Sequence, residues 1–347
     1  MRTILWNDEK QQMQMIDQRI LPGRFELLSF SDHMAVAEAI SDMVVRGAPA
    51  IGVAAAFGMA LAGLNTHATS VQTLKEELKS AAKILNAARP TAINLSWAIQ
   101  RMLAVADVVD DSVAEVQLAL VNKAKQMADE DVVINLAIAT HGAALINDGD
   151  HIVHHCNTGA LATVDYGTAL GAIRMAHEQG KHIHVFVDET RPRLQGARLT
   201  AWELSQYGIP YDIIADGASG YLMRTGQVQK VFFGADRVAA NGDVVNKIGT
   251  YMLALAAYDN GIPAYSVSPI STIDLNLQSG DQIEIEEREQ AEVLDLEFHG
   301  QRVTPKGSSA RNPAFDITPH RLVSGIVTEK GIVYPPYFRN LPTIMEI

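Results

Sequence analysis

Cysteine is almost absent: Cys156 is the only one in 347 residues. A single thiol forms no intrachain disulfide, which agrees with a reducing compartment. A long basic stripe is also missing, and acidic residues outnumber basic ones 40 to 28, for a formal net charge of −12. Such a surface repels a phosphate backbone and argues against nucleic acid as a partner. A small anion remains admissible, because local arginines and helix N-termini can reverse the potential inside a cleft. No apolar run is long enough for a bilayer. The longest, "IGVAAAFGMALAGL" from Ile51 to Leu64, falls short of roughly 20 residues and reads as a tightly packed core helix. The start, "MRTILWNDEKQQ", has acidic and amide residues where a signal peptide needs an apolar stretch. A cytoplasmic protein with no membrane partner is the expectation.

What is present is ordinary for a folded enzyme or scaffold: 48% apolar residues, 25 Gly and 13 Pro. Length suggests two domains. The first segment holds short strand-like pieces broken by polar and Pro-Gly punctuation, which favours a small antiparallel sheet. From Ser31 the spacing turns helical, with Ser31 or Asp32 as a possible cap, and it stays helical through "HATSVQTLKEELKSAAKILNAA", "TAINLSWAIQRMLAVA" and "SVAEVQLALVNKAKQMADEDVVINLAIATHGAALI". Beyond about Asp150, short apolar strands alternate with helices: "HIVHHC", "HIHVFVDE", "YDIIAD", "KVFFGAD" and "PAYSVSP" each close or open such a unit. Repeats of this kind build a parallel sheet covered on both faces. The expected fold is α/β: a Rossmann-like parallel sheet domain, residues 131–347, preceded by a smaller, mainly helical domain, residues 1–130, with a short N-terminal antiparallel sheet. "EIEEREQAEV" reads as a solvated charge run, and "TPKGSSARNPAFDITPHRL" as a long connection ending near a terminal helix.

In that architecture Cys156, Asp188, Asp216 and Asp236 all fall at or just past the C-terminal ends of strands, the edge where doubly wound sheets bind ligands. The stretch "HHCNTGALAT" invites a zinc reading, since imidazole and thiol are zinc ligands. Along a strand, however, His154 and Cys156 point to one face and His155 to the other, and no second cluster completes a ligand set. A Cys-His hydrolase is open in principle, but no histidine is tied to the thiol by sequence. Neither G-x-G-x-x-G after the first of these strands nor GxxxxGK[ST] occurs, so dinucleotide and triphosphate signatures are missing. "RGAPAIG" puts Arg46, Gly47 and Ala48 at the start of the small-residue helix, where backbone donors and a guanidinium suit a phosphate; a plain, closely packed helix start fits equally. "RPTAINL" supplies Arg89, also just ahead of a helix. Asp236 in "FFGADRV" suits a general acid in an apolar, substrate-closed setting, or a cap for the hairpin that "AANGDVV" suggests. "NKIGT" places Asn246 and Lys247 at a further helix start.

Together, "RGAPAIG", "RPTAINL", "HCNTGALAT", "GADRVAANGDVVNKIGT" and "TPHRLVSGIVTEKG" resemble the methylthioribose-1-phosphate isomerases, ketose-forming enzymes of methionine salvage. The motifs reach from Arg46 to Gly331. The wider family takes in ribose-1,5-bisphosphate isomerases, deoxyribose-phosphate relatives and regulatory subunits of the eukaryotic translation-initiation exchange factor. The resemblance implies Cys156 and Asp236 as the catalytic pair, with Asp236 the proton donor and Cys156 a base or transition-state stabiliser. It implies substrate contacts at Arg46, Gly47, Ala48, Arg89, Gln195, Asn246 and Lys247. It also implies a homodimer, a sugar-phosphate substrate, and no metal or nucleotide cofactor. The roles of His154 and His155 stay open, as does the choice among a methylthio, deoxy or phosphorylated C5 and a non-catalytic regulatory subunit.

Overall fold

In the computed structural model, which describes residues 1–89 and 93–346, the chain begins with three antiparallel strands: β1 (Ile4–Asn7), β2 (Gln12–Ile16) and β3 (Leu27–Phe30), paired in that order. Asp32 resolves the choice of cap. Its carboxylate accepts the Ala35 N–H at 2.9 Å and starts α1 (His33–Ser41). Then come α2 (Ala48–Leu64), α3 (Val71–Ala88), α4 (Ile93–Val108) and α5 (Val113–Ala143). The Ser70 hydroxyl caps α3 at the Thr73 N–H, 3.1 Å away, and its buried stripe Leu74, Leu78, Ala81, Ala82 and Leu85 keeps the helical spacing. Almost every side chain of α2 is buried. Its alanines and glycines let α1, α3 and α4 pack around it, and Phe57 stacks on Trp6 with ring centroids 5.4 Å apart.

The chain divides into two packed units. The first takes Met1–Asn135 together with Gly159–Gly167; the second takes Leu136–Thr158 and the chain from Thr168. Nothing in the sequence signalled that the nine-residue loop after the cysteine belongs with the helices. Hydrogen bonds show why it does: Gln18 Nε2 donates to the Leu161 carbonyl at 2.7 Å, the Thr3 N–H to the Val164 carbonyl at 2.8 Å, and the Val164 N–H to Asp131 at 2.7 Å.

The second unit alternates strands and helices as expected: β4 (His151–His154), α6 (Ala169–Glu178), β5 (His184–Asp188), α7 (Ala201–Tyr207), β6 (Tyr211–Ile214), α8 (Ser219–Arg224) and β7 (Lys230–Phe233). A hairpin follows, β8 (Arg237–Ala239) and β9 (Val244–Lys247), then α9 (Thr250–Asp259), β10 (Ala264–Val267) and β11 (Ile273–Asp274). The remainder holds α10 (Ala291–Leu294), β12 (Glu297–Phe298), β13 (Gln301–Arg302), β14 (Phe315–Thr318), β15 (Gly325–Thr328), β16 (Gly331–Val333) and α11 (Tyr337–Glu346).

The large sheet runs β16-β15-β10-β7-β4-β5-β6, parallel throughout except for β16 at one edge. The chain builds outward from β4 to β5 and β6, then returns to β7 on the other side of β4. The strand order therefore reverses between β4 and β7, and the crevice outside the C-terminal ends of those two strands is the usual ligand site of such sheets.

Two segments depart from the sequence reading. The Pro- and Gly-rich connection contains β14, which pairs antiparallel with β9 and sets Asp316 opposite Asn246 and Phe315 opposite Lys247. The charge run is also not simply solvated: Glu292 accepts from Arg193 at 2.8 Å and from Asn312 at 3.1 Å, so it anchors the loop after β5. No helix among the described residues is long and apolar enough to cross a membrane.

Candidate active site

The strand that carries the lone cysteine stops at His154, and Cys156 then takes φ +68°, so strand alternation does not extend to the thiol. Hydrogen bonding separates the two histidines. His154 is fully buried, with Nδ1 2.9 Å from the Phe232 carbonyl and Nε2 3.3 Å from the Thr158 hydroxyl. A carbonyl only accepts, so Nδ1 carries the proton and Nε2 accepts from Thr158. Burial holds this imidazole down to a pKa of about 3, and it is a neutral structural group. His155 differs. Its Nδ1 faces Asp188 Oδ2 and its Nε2 faces the Ile248 carbonyl, each at 2.9 Å. The Ile248 carbonyl accepts; burial pushes the Asp188 carboxyl up while the His155 ring beside it pulls the other way, and against the Asp188 carboxylate both ring nitrogens donate. Burial opposes the charge, but the hydrogen bond and negative charge of Asp188, aided by Cys156 and Asp216, raise the pKa to about 9.

Cys156 itself is held on three sides. Its N–H donates to Thr190 Oγ1 at 2.9 Å, its carbonyl accepts from Thr200 Oγ1 at 2.7 Å, and Gln195 Nε2 lies 3.5 Å from Sγ. Thr190 also sits in the left-handed region, at φ +63°. Two such non-glycine residues cost roughly 1–3 kcal/mol each and persist only where surrounding bonds enforce them. Here Thr190 Oγ1 donates to the Asp188 carbonyl at 3.0 Å, and Asp216 accepts the N–H groups of Thr190 and Arg191 at 2.7 and 2.8 Å. Gln195 precedes and Thr200 ends a wide π turn, Gly196–Thr200, that leads into α7; turns of this type recur at functional sites. The turn needs Gly196, because a Cβ there would lie 1.8 Å from the Asp188 carbonyl oxygen. Gly196→Ala is expected to cost about 1–3 kcal/mol of stability and to displace both contacts to Cys156. Gly217→Ala, with nothing within 4 Å of the added carbon, serves as the control; urea midpoints of the two variants check the difference.

His155, Asp188 and Asp216 bring donor atoms within 4.8 Å of one another, the spacing of a metal site. Their atoms are already engaged, since Asp188 Oδ1 accepts from the Ser219 hydroxyl at 2.6 Å and both Asp216 oxygens accept backbone N–H groups. The cluster reads as a hydrogen-bond network behind the cysteine.

Asp236 follows β7, and its backbone N–H donates to the Val245 carbonyl at 2.8 Å. Asp236 is exposed. Asn246 and Lys247 close β9 and do not open a helix; α9 starts at Thr250. Asn246 is buried and donates to Thr250 Oγ1 at 2.9 Å. Lys247 Nζ donates to the Ala314 carbonyl at 2.8 Å and lies 4.3 Å from the Phe315 ring centroid. Asp316, unnoticed in the sequence, accepts the N–H groups of Gly249 and Tyr251 at 2.7 and 3.1 Å; burial, only partly offset by those bonds, raises its pKa to about 6. The alternation in "FDIT" was its only sequence signal. Thr190 and Thr200 had none.

In the first unit Gly47 precedes α2 at φ +97°, and a Cβ there would lie 2.3 Å from the Ala162 carbonyl oxygen. The "RGA" turn and the loop of the cysteine motif thus meet closely. The N-cap of α2 is Gly47, which has no side chain to cap it, whereas Asp32 and Ser70 cap α1 and α3. Arg46 and Ala48 flank Gly47 and are half-buried. Arg89 is the C-cap of α3, ahead of α4, which is described from Ile93. Pro90, Thr91 and Ala92 of its motif lie outside the described residues.

Comparison with known proteins agrees over nearly the whole length. The profile of the initiation factor 2 subunit family matches residues 44–335. A methylthioribose-1-phosphate isomerase of Synechococcus is 53% identical over 344 residues, covering 99% of this chain and 98% of its own. The crystal structure of 5-methylthioribose 1-phosphate isomerase from Pyrococcus horikoshii superposes with TM-score 0.93 at 44% identity, covering 99% and 96% of the two chains. A structure described as translation initiation factor eIF-2B subunit delta from A. fulgidus superposes with TM-score 0.90 at 41% identity over 100% of each chain.

Proposed function

This chain belongs to the methylthioribose-1-phosphate isomerases, within the initiation factor 2 subunit family, and on that premise we propose how its residues carry out the reaction. The activity is aldose-to-ketose isomerisation of 5-methylthioribose 1-phosphate to 5-methylthioribulose 1-phosphate in methionine salvage. The phosphate on the anomeric oxygen bars simple opening to a free aldehyde. Asp236 gives a proton to the ring oxygen as the C1–O bond breaks, which leaves C1 strongly electron-poor. Hydrogen then passes from C2 to C1 while the C2 hydroxyl loses its proton, and the ketone forms. Cys156 is the base in this transfer, or shapes the field in which a hydride moves. Arg46 and the uncapped backbone donors of α2 bind the phosphate, with Arg89, Gln195, Asn246 and Lys247 as further substrate contacts.

The observation that supports this pairing most is topological. Cys156 follows β4 and Asp236 follows β7, the two strands on either side of the point where the sheet order reverses. Purified protein is expected to turn over the substrate, and to prefer it to 5-deoxyribose 1-phosphate and ribose 1,5-bisphosphate. Contact between a pocket and one apolar substituent is worth about 10- to 200-fold in kcat/KM. Competition among the three measures it, and a preference for the bisphosphate would refute the methylthio assignment. The protein works as a cytoplasmic homodimer in this reading. Its similarity to the A. fulgidus structure favours one alternative, a regulatory subunit; no turnover of any of the three substrates, with stable incorporation into a larger assembly, would establish it.

A further inference from the structure

We propose that His155 is a positioning residue: a doubly donating imidazolium that ties the Cys156 turn to the end of β5 and to the segment carrying Asn246 and Lys247. The proposal rests on the catalytic reading above and extends it to a residue that does not itself touch substrate.

Three observations carry it. First, His155 is adjacent to Cys156 in the chain, and its two ring nitrogens reach different segments, Asp188 at the end of β5 and the Ile248 carbonyl directly after Lys247. One planar ring thus fixes two distances. Second, the far side of the same segment is held independently. Asp316 of β14 accepts the Gly249 and Tyr251 N–H groups, so the peptide group joining Ile248 to Gly249 is held by an imidazolium at its carbonyl and a carboxylate at its N–H. Third, the counter-charge is itself fixed, because Asp188 Oδ1 accepts from Ser219 while Oδ2 accepts from His155. Opposite an ionised Asp188, a neutral ring would keep only one of its two bonds, since its unprotonated nitrogen would face an acceptor.

The charged and titratable groups facing His155 are Asp188 from β5, Asp216 from the loop after β6, Asp316 from β14, Cys156 beside it and the neutral His154. The acids outnumber the cations, which keeps the ring charged. Its folded-state pKa lies above the ordinary 6.5, so its contribution to stability is complete below about 6.5 and is lost as pH rises through about 9. The kcat/KM of the wild type is therefore expected to fall through the same range.

His155→Gln and Asp188→Asn test the role. Gln keeps one donor but neither the charge nor the second reach. In folded protein, confirmed by a cooperative thermal transition, His155→Gln is expected to lower kcat roughly 100-fold, to raise KM, and to remove the alkaline limb near pH 9. Asp188→Asn shifts that limb to lower pH, and it carries the comparison if His155→Gln does not fold. Nitrogen-15 NMR of histidine-labelled wild type is expected to show one ring with both nitrogens protonated at pH 8. Wild-type kcat and KM in folded His155→Gln, or no such ring in the wild type, would overturn the proposal. The two readings fail separately: a wild type that does not turn over the substrate sinks the assigned activity, whereas an active wild type matched by His155→Gln sinks the positioning role.

Discussion

Asp236→Asn is expected to lower kcat on 5-methylthioribose 1-phosphate by about 10³-fold, in the middle of the range that general acid catalysis contributes, with KM changed little. The substitution is nearly isosteric, and the backbone at this position is set by the N–H bond to Val245, which asparagine keeps. What is lost is the transferable proton. An amide can still donate a hydrogen bond to the ring oxygen, but it cannot leave a proton there when the C1–O bond breaks. A loss confined to kcat therefore points to proton donation, and a loss confined to KM points to binding alone. The exposure of Asp236 sharpens this expectation. The acid role requires substrate to cover this exposed residue and exclude water from the proton transfer. Steady-state kinetics of the purified variant, beside wild type, decide the matter. A variant that turns over at the wild-type rate removes Asp236 from the acid step and leaves ring opening to another donor.

The parts of the fold that could be read from the sequence share a physical cause. Strands buried on both faces must be apolar along their length, and "KVFF" and "HIVH" announce themselves in that way. Helix α2 was legible because alanine and glycine at every turn fit only where neighbours approach closely. β14 was not legible, since "FDIT" is short, half-polar and set among proline and glycine; it becomes a strand only through its partner β9. The same limit applies to the site. The strand ends put Cys156, Asp188, Asp216 and Asp236 on one edge, which strand periodicity could anticipate. It could not supply the left-handed turn at Cys156, the threonine hydroxyls that hold it, or the split between a neutral His154 and a charged His155. Those depend on contacts between segments far apart in sequence. Arg89 stands between two helices, and adjacency to the second did not reveal that it also closes the first. The reaction came from neither source, because a strand-end thiol and carboxylate fit many chemistries; the motifs and the full-length relatives identify it.

Cys156→Ser is expected to lower kcat by about 10²- to 10⁴-fold, and the fate of solvent deuterium says why. The thiol is buried, receives the Gln195 amide at 3.5 Å and follows directly on a doubly donating His155. A donor amide on Sγ and the His155 ring next along the chain fix the direction of the sulfur, and an oriented sulfur is what a base in this position needs. Serine keeps the size and the backbone bonds to Thr190 and Thr200 but is a far weaker acid, so its alkoxide is not available at neutral pH. If Cys156 takes the C2 proton and returns it to C1, wild-type turnover in deuterium oxide is expected to place deuterium at C1. The amount stays below one atom per product, because a buried base exchanges slowly with solvent. Mass spectrometry of the product measures it. The lone cysteine makes the assignment clean, since no second thiol can substitute. Product free of deuterium, together with a primary isotope effect from deuterium at C2 of the substrate, would instead mean that hydrogen moves as hydride. Cys156 would then act through the field of its polarisable sulfur on the electron-poor C1, and Cys156→Ser would still be slow.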